Sequence, residues 1–172
     1  MPLEKVMASF EIEYGSLWTY DGGNPDERLP LSRLSEDGHV HGLLRIKVNG
    51  NVLPFLGYFG PDDVCFNTWL YELKSALEGL RASATSSYLY DEGEQGQPAF
   101  LFERDGDAAW LSIVASQLSD GQAHPEWQRA KFSFSDFERS VLQFAASLRR
   151  QVEAESPRFG KSWWANASER GA

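Results

Sequence analysis

LLRIKVNGNVLPFL, residues 43–56, decides the fold. Asn49-Gly50 lies between two apolar runs. That dipeptide is the strongest short-range hairpin signal, because both central turn positions take a positive φ. A two-residue loop sets the register: Val48 faces Asn51, Ile46 faces Leu53 and Leu44 faces Phe55. Leu44, Ile46, Val48, Leu53 and Phe55 then share one face. Arg45, Lys47 and Pro54 lie on the other, with Leu43, Val52 and Leu56 among them. Pro54 has no N–H, which places it at an edge or a bulge. Gly57 and Gly60-Pro61 end the strand.

An amphipathic helix follows. Asp62 and Asp63 suit its start, where carboxylates cap free N–H groups and oppose the dipole. Phe66, Trp69, Leu70, Leu73, Leu77 and Leu80 recur at helical spacing and form one buried stripe. Gly79 and the Ser/Ala run after Arg81 mark its end. The same plan of strand, turn, strand and helix recurs from Pro98 to Val152.

Upstream, Val6–Tyr14 alternates, with Phe10, Ile12 and Tyr14 on one side and Ser9, Glu11 and Glu13 on the other. This is the pattern of a half-buried strand. Trp18 and Tyr20 extend it past a kink at Gly15. Asp21–Asp37 holds Gly22-Gly23-Asn24-Pro25 and Pro30, and reads as a long loop with a short turn at Leu31–Leu34. Downstream, Tyr88–Tyr90 is a short strand and residues 91–98, DEGEQGQP, form an acidic loop. Asp105-Gly106 reads as the turn of a second hairpin, with Phe102 opposite Ala109 and Phe100 opposite Leu111. Phe100, Phe102, Leu111 and Ile113 then face a core, and Leu101, Trp110 and Val114 face away. Phe132 and Phe134 alternate in a last strand. A capping box, Ser135–Glu138, opens the second helix. Its stripe is Phe137, Val141, Phe144, Leu148 and Val152, and Pro157 stops it.

The expected class is α+β: an antiparallel sheet from two hairpin units with two long helices packed on one face. One domain is expected over residues 1–157. Residues 158–172 form a tail that either frays or is docked by Trp163 and Trp164. The opposite sheet face carries Leu43, Leu56, Leu101, Trp110 and Val114. Either the N-terminal loop or the tail covers it, or it is an interface.

Composition narrows the function. The chain has 172 residues, a formal charge of −9, and eleven Phe, six Trp and six Tyr. Acidity argues against nucleic acid and anionic membrane, both of which demand Lys/Arg patches. It suits either plain solubility or a basic partner. No run approaches the roughly 20 apolar residues that span a bilayer. Met1–Phe10 lacks the apolar core of a secretory signal. Cys65 is the single cysteine, so no internal disulfide forms, and the cytoplasm is the expected compartment.

Motifs of catalysis are not evident. His39-Val40-His41 places two imidazoles on one side of a strand, with Asp37 nearby, but a third and fourth ligand are not evident, so no metal is expected. Cys65 sits near a helix start, where a thiol pKa falls, yet no nucleophile signature surrounds it, and an inert thiol is expected. Gly93 and Gly96 lie among carboxylates that repel phosphate. Asp91, Glu92 and Glu94 lack the spacing of a calcium loop. No cofactor and no catalytic residue is expected. The acidic run reads as a solvated loop or as a contact surface for a basic protein.

Two runs carry a resemblance. One is Gly60-Pro61-Asp62-Asp63-Val64-Cys65-Phe66-Asn67-Thr68-Trp69. The other starts at Asp91 and ends in Gln97-Pro98-Ala99-Phe100-Leu101-Phe102-Glu103-Arg104. Both resemble small bacterial proteins, some of them similar to immunity proteins of polymorphic or contact-dependent toxin systems. The resemblance implies a cytoplasmic α+β protein, monomer or dimer, that neutralises a cognate toxin by binding it, with no catalytic residue. Acidity fits an inhibitor that occludes a basic cleft and is steered to it electrostatically. Asp91, Glu92, Glu94, Asp62 and Asp63 are then the expected acidic contacts, with Trp110 as an aromatic anchor. Two alternatives stand beside it. One is a small-ligand-binding protein or enzyme with a pocket between sheet and helices. The other is a structural subunit that dimerises through the second sheet face.

Overall fold

The computed structural model describes residues 9–21 and 24–170, so Val6–Ala8 of the first expected strand and Gly22-Gly23 lie outside the described residues. The chain runs through β1 (Phe10–Asp21), β2 (Asn24–Leu29), a single 3-10 turn (Leu31–Arg33), β3 (Val40–Val48), β4 (Asn51–Val52), β5 (Val64–Cys65) and α1 (Phe66–Arg81). It continues through β6 (Thr85–Asp91), β7 (Ala99–Asp105), β8 (Ala108–Val114), β9 (Ala130–Ser133), α2 (Phe134–Glu155) and α3 (Gly160–Arg170). The fold is α+β. Its strands form two antiparallel sheets, not one, in the orders β2-β1-β3-β4, with β5 also on β3, and β6-β7-β8-β9. Among the described residues no helix is long and apolar enough to cross a membrane.

The chain divides into two compact units. The first comprises the described part of Met1–Glu11 with Ile46–Pro54 and Ala76–Ser140; the second comprises Ile12–Arg45, Phe55–Ser75 and the described part of Val141–Ala172.

In the first unit the Asn49-Gly50 turn forms with the expected register, Val48 opposite Asn51 and Lys47 opposite Val52. The Leu53 N–H still donates to the Ile46 carbonyl at 2.8 Å. Asn49 does more than turn the chain: its Oδ1 accepts from Ser9 N at 2.9 Å and its Nδ2 donates to the Lys131 carbonyl at 2.8 Å. The second hairpin corrects the sequence reading. Asp105 pairs with Ala108, so the loop residues are Gly106 and Asp107, and Phe102 faces Leu111 while Phe100 faces Ile113. Gly106, with φ +62, takes the first loop position instead of the second. The two-residue shift preserves the faces, because side-chain direction has period two. Phe100, Phe102, Leu111 and Ile113 are therefore all buried.

Phe137 organises this core. Its ring lies 4.9 Å from Phe10 at 88° and 5.7 Å from both Phe102 and Phe132. The cap of α2 is Ser133, not Ser135: Ser133 Oγ accepts the Asp136 N–H at 3.3 Å. Ser133 still ends β9, and its extended backbone suits a cap.

In the second unit the expected loop after Asp21 is partly a strand. β2 pairs back on β1, with Thr19 opposite Leu29 and Tyr20 opposite Arg28. Asp62 and Asp63 do not begin α1. They precede β5, whose pairing with β3 holds the chain extended until Phe66. The expected partnership of Leu44 with Phe55 is also absent. Phe55 adopts φ +69 and is 41% exposed, while Leu44 is buried. Pro54 offers no N–H to prolong β4, and the left-handed turn at Phe55 takes the chain off the sheet. Residues 160–170 are helical, and Trp163 is 1% exposed.

Candidate functional site

Three chemically able side chains meet in the second unit. His39 immediately precedes β3 and His41 is its second residue. The alternation of an extended chain puts both rings on one side, with centroids 6.2 Å apart and planes at 23°. Thr19 Oγ1 donates to the His39 carbonyl at 2.7 Å, which fixes the backbone there. Asn67, in the first turn of α1, ties β3 to the helix: its Oδ1 accepts the Val40 N–H at 2.9 Å. Strand β5 pairs with β3 so that Cys65 lies opposite His41. Donor atoms of His39, His41 and Cys65 consequently all fall within 4.8 Å of one another. Cys65 Sγ is 3.9 Å from His39 Nδ1.

A second layer orients this group. His41 Nδ1 lies 2.8 Å from Asp63 Oδ1, and both side chains are nearly buried, at 12% and 13% exposed. The Tyr20 hydroxyl donates to the two Asp63 oxygens at 3.3 Å each. Trp18 lies over the His41 ring at 5.0 Å and Tyr20 meets it edge-on at 4.6 Å. With Nδ1 given to Asp63, the other ring nitrogen, Nε2, is buried and has no hydrogen-bond partner. Burial pushes the Cys65 thiol up. The His39 and His41 rings and the Thr68 backbone N–H favour the thiolate and bring it down to about 5. The hydrogen bond with Cys65 pushes His39 up, against the opposing effect of burial. Burial, with the Asp63 charge, pushes Tyr20 up, so its hydroxyl stays protonated. Such a cluster can bind a metal through three donors, or present a thiolate beside an imidazole that a carboxylate orients.

The loop leading into the cluster is the other conspicuous feature. Between Pro54 and Asp63 it exposes Phe55 (41%), Tyr58 (49%) and Phe59 (76%). The loop has a fixed shape. Gly57 N–Cα–C packs so tightly that a Cβ there would meet the Gly60 carbonyl oxygen at 2.5 Å. Gly60 N donates to the Gly57 carbonyl and Asp63 N to the Gly60 carbonyl, each at 3.3 Å. The Trp69 indole N–H donates to the Leu56 carbonyl at 2.6 Å. Tyr58 and Phe59 pack edge-to-face at 4.9 Å.

The expected acidic contacts are not equivalent. Asp91, the last residue of β6, is committed to the segment after β8, accepting from Ser116 Oγ and Gln117 N at 2.7 Å each. Asp63 is committed to His41 and Tyr20. Asp62 is exposed and pairs with exposed Arg28 at 3.4 Å. Glu92 and Glu94 are exposed. Trp110 is half-buried, with the Arg129 guanidinium 4.3 Å above its ring, and Arg129 also meets Glu103 at 3.5 Å. Sequence reasoning noticed the two histidines and the cysteine separately. The pairing of β5 with β3 unites them, and β-branched Val64 is the one local sign of that strand. Phe55 reads as a strand residue opposite Leu44, and nothing in the local sequence marks Phe55, Tyr58 or Phe59 as exposed. No family model, curated protein or solved structure matches this chain.

Proposed function

We propose that this chain is a non-catalytic protein-binding module of the immunity type, cytoplasmic, which neutralises a basic cognate toxin by covering it. The observation that carries this reading is the internally hydrogen-bonded Phe55–Asp63 loop with three large aromatic side chains exposed on it. A few residues dominate the energy of an interface and aromatic side chains are prominent among them, and a loop held by internal hydrogen bonds loses less entropy on docking. The charge of −9 supports a basic partner and fast, salt-sensitive capture. The resemblance of residues 60–69 and 91–104 to immunity-type proteins points toward the same class. The contact set we infer is Phe55, Tyr58, Phe59 and Asp62, with Glu92 and Glu94 acting through long-range charge.

The test uses purified components. The full chain is titrated by calorimetry with the product of the gene adjacent to its own. Phe59→Ala is expected to weaken binding by about tenfold or more, since a central aromatic anchor contributes upward of ~1–2 kcal/mol. Unchanged affinity in Phe59→Ala and Tyr58→Ala would remove the loop from the interface.

A further inference from the structure

We infer that His39, His41 and Cys65 form a binding site for a divalent metal ion of the zinc class, with an open fourth position.

Four observations carry it. First, the donors already converge, all within 4.8 Å. A tetrahedral zinc holds its sulfur and nitrogen ligands about 3.6 Å apart, given bond lengths of about 2.3 and 2.0–2.1 Å. The 3.9 Å between Cys65 Sγ and His39 Nδ1 is close to that, and the exposed His39 ring can turn to close the remaining gap. Second, the buried Nε2 of His41 has no hydrogen-bond partner, which a nitrogen removed from water does not tolerate without a reason. A metal would supply the missing partner. Third, Asp63 holds the opposite ring nitrogen at 2.8 Å and Tyr20 holds Asp63. A carboxylate behind a ligating histidine is the usual support of a metal site, since it fixes the ring and raises its basicity. Fourth, the donor set is two imidazoles and a thiolate sulfur. Hard cations such as magnesium and calcium take oxygen, whereas this set suits zinc or its spectroscopic substitute cobalt.

A thiolate nucleophile with its base would need only one imidazole. Here two imidazoles, His39 and His41, converge on Cys65, and the second of them completes a triangle of donors. Three protein ligands leave a fourth position, reached from the exposed side of His39, for water or a group of another molecule.

The test is a titration of the reduced full-length chain with cobalt(II), without oxygen. One equivalent is expected to produce a thiolate-to-cobalt charge-transfer band in the near ultraviolet and the intense visible bands of a tetrahedral ion. Zinc is expected to abolish both stoichiometrically. His39→Ala, at an exposed position that leaves folding intact, is expected to weaken binding by at least about tenfold. Cys65→Ser is expected to remove the charge-transfer band. Asp63→Asn is expected to keep the band and weaken affinity about 10–100-fold, as loss of outer support does. Absence of the band at one equivalent would overturn the inference. So would a band that survives Cys65→Ser, or Cys65 alkylation by iodoacetamide that depends on His41 and is unaffected by zinc.

Discussion

Asn67 shows how much one side chain can fix. Its Oδ1 accepts both the Val40 N–H at 2.9 Å and the Trp163 indole N–H at 3.0 Å, in a buried setting. Asn67→Ala leaves two buried donors unmatched, so it should cost about 2–4 kcal/mol, measurable by urea unfolding. Asn67→Asp keeps the acceptor and should cost less. Cys65 gives the pH prediction. Its folded pKa, about 5, lies below the ordinary thiol value of 9.0, so the metal-free thiolate is formed throughout the neutral range. Because the pKa is depressed, its contribution to stability is fully present above about 9 and is lost progressively as pH falls from there through about 5. Alkylation by iodoacetamide should accordingly be flat between neutrality and mild acid and fall only near that value, where an ordinary thiol would slow tenfold per unit already below pH 8. At this scale the sequence was only partly legible. His39 and His41 are visible as a pair because strand alternation is local. Cys65 joins them through a two-residue strand pairing, which no local pattern encodes.

Turns and caps decide the elements. Asn49-Gly50 was readable because a two-residue loop with two positive φ values admits few residues, and here φ is +52 and +80. Asp105-Gly106-Asp107 admits two frames, and the observed one puts Gly106 first. Both frames bury the same residues, so hydrophobic pattern could not choose between them. The helix stripes were legible for the same reason in reverse: a 3.6-residue period survives errors of a residue or two at the ends. Thus Phe137, Val141, Phe144, Leu148 and Val152 are buried as expected, although α2 starts at Phe134 and is capped by Ser133. Ser133→Ala should therefore destabilise by about 1 kcal/mol and Ser135→Ala by much less, as read by thermal unfolding. Truncation at Phe137 is a larger matter. Phe137→Ala removes a ring that touches Phe10, Phe102 and Phe132, and should cost about 3–5 kcal/mol. β2 escaped notice because Asn24–Leu29 is polar and pairs only along one edge of β1.

At the scale of the whole molecule, net charge speaks to association and the exposed aromatics speak to where it occurs. The charge of −9 should make capture of a basic partner slow markedly as salt rises, mainly through the association rate. Glu92→Lys with Glu94→Lys should reduce that salt dependence. Asp91→Ala should instead loosen the 91–121 loops, because its carboxylate holds Ser116 and Gln117, while leaving the affinity of the folded protein near that of the parent. The most direct measurement of the central claim is amide hydrogen exchange of the chain alone and with the adjacent gene's product. Slowed exchange centred on residues 55–63 is the predicted result. Protection confined to residues 91–96, or none at saturating partner, would contradict it.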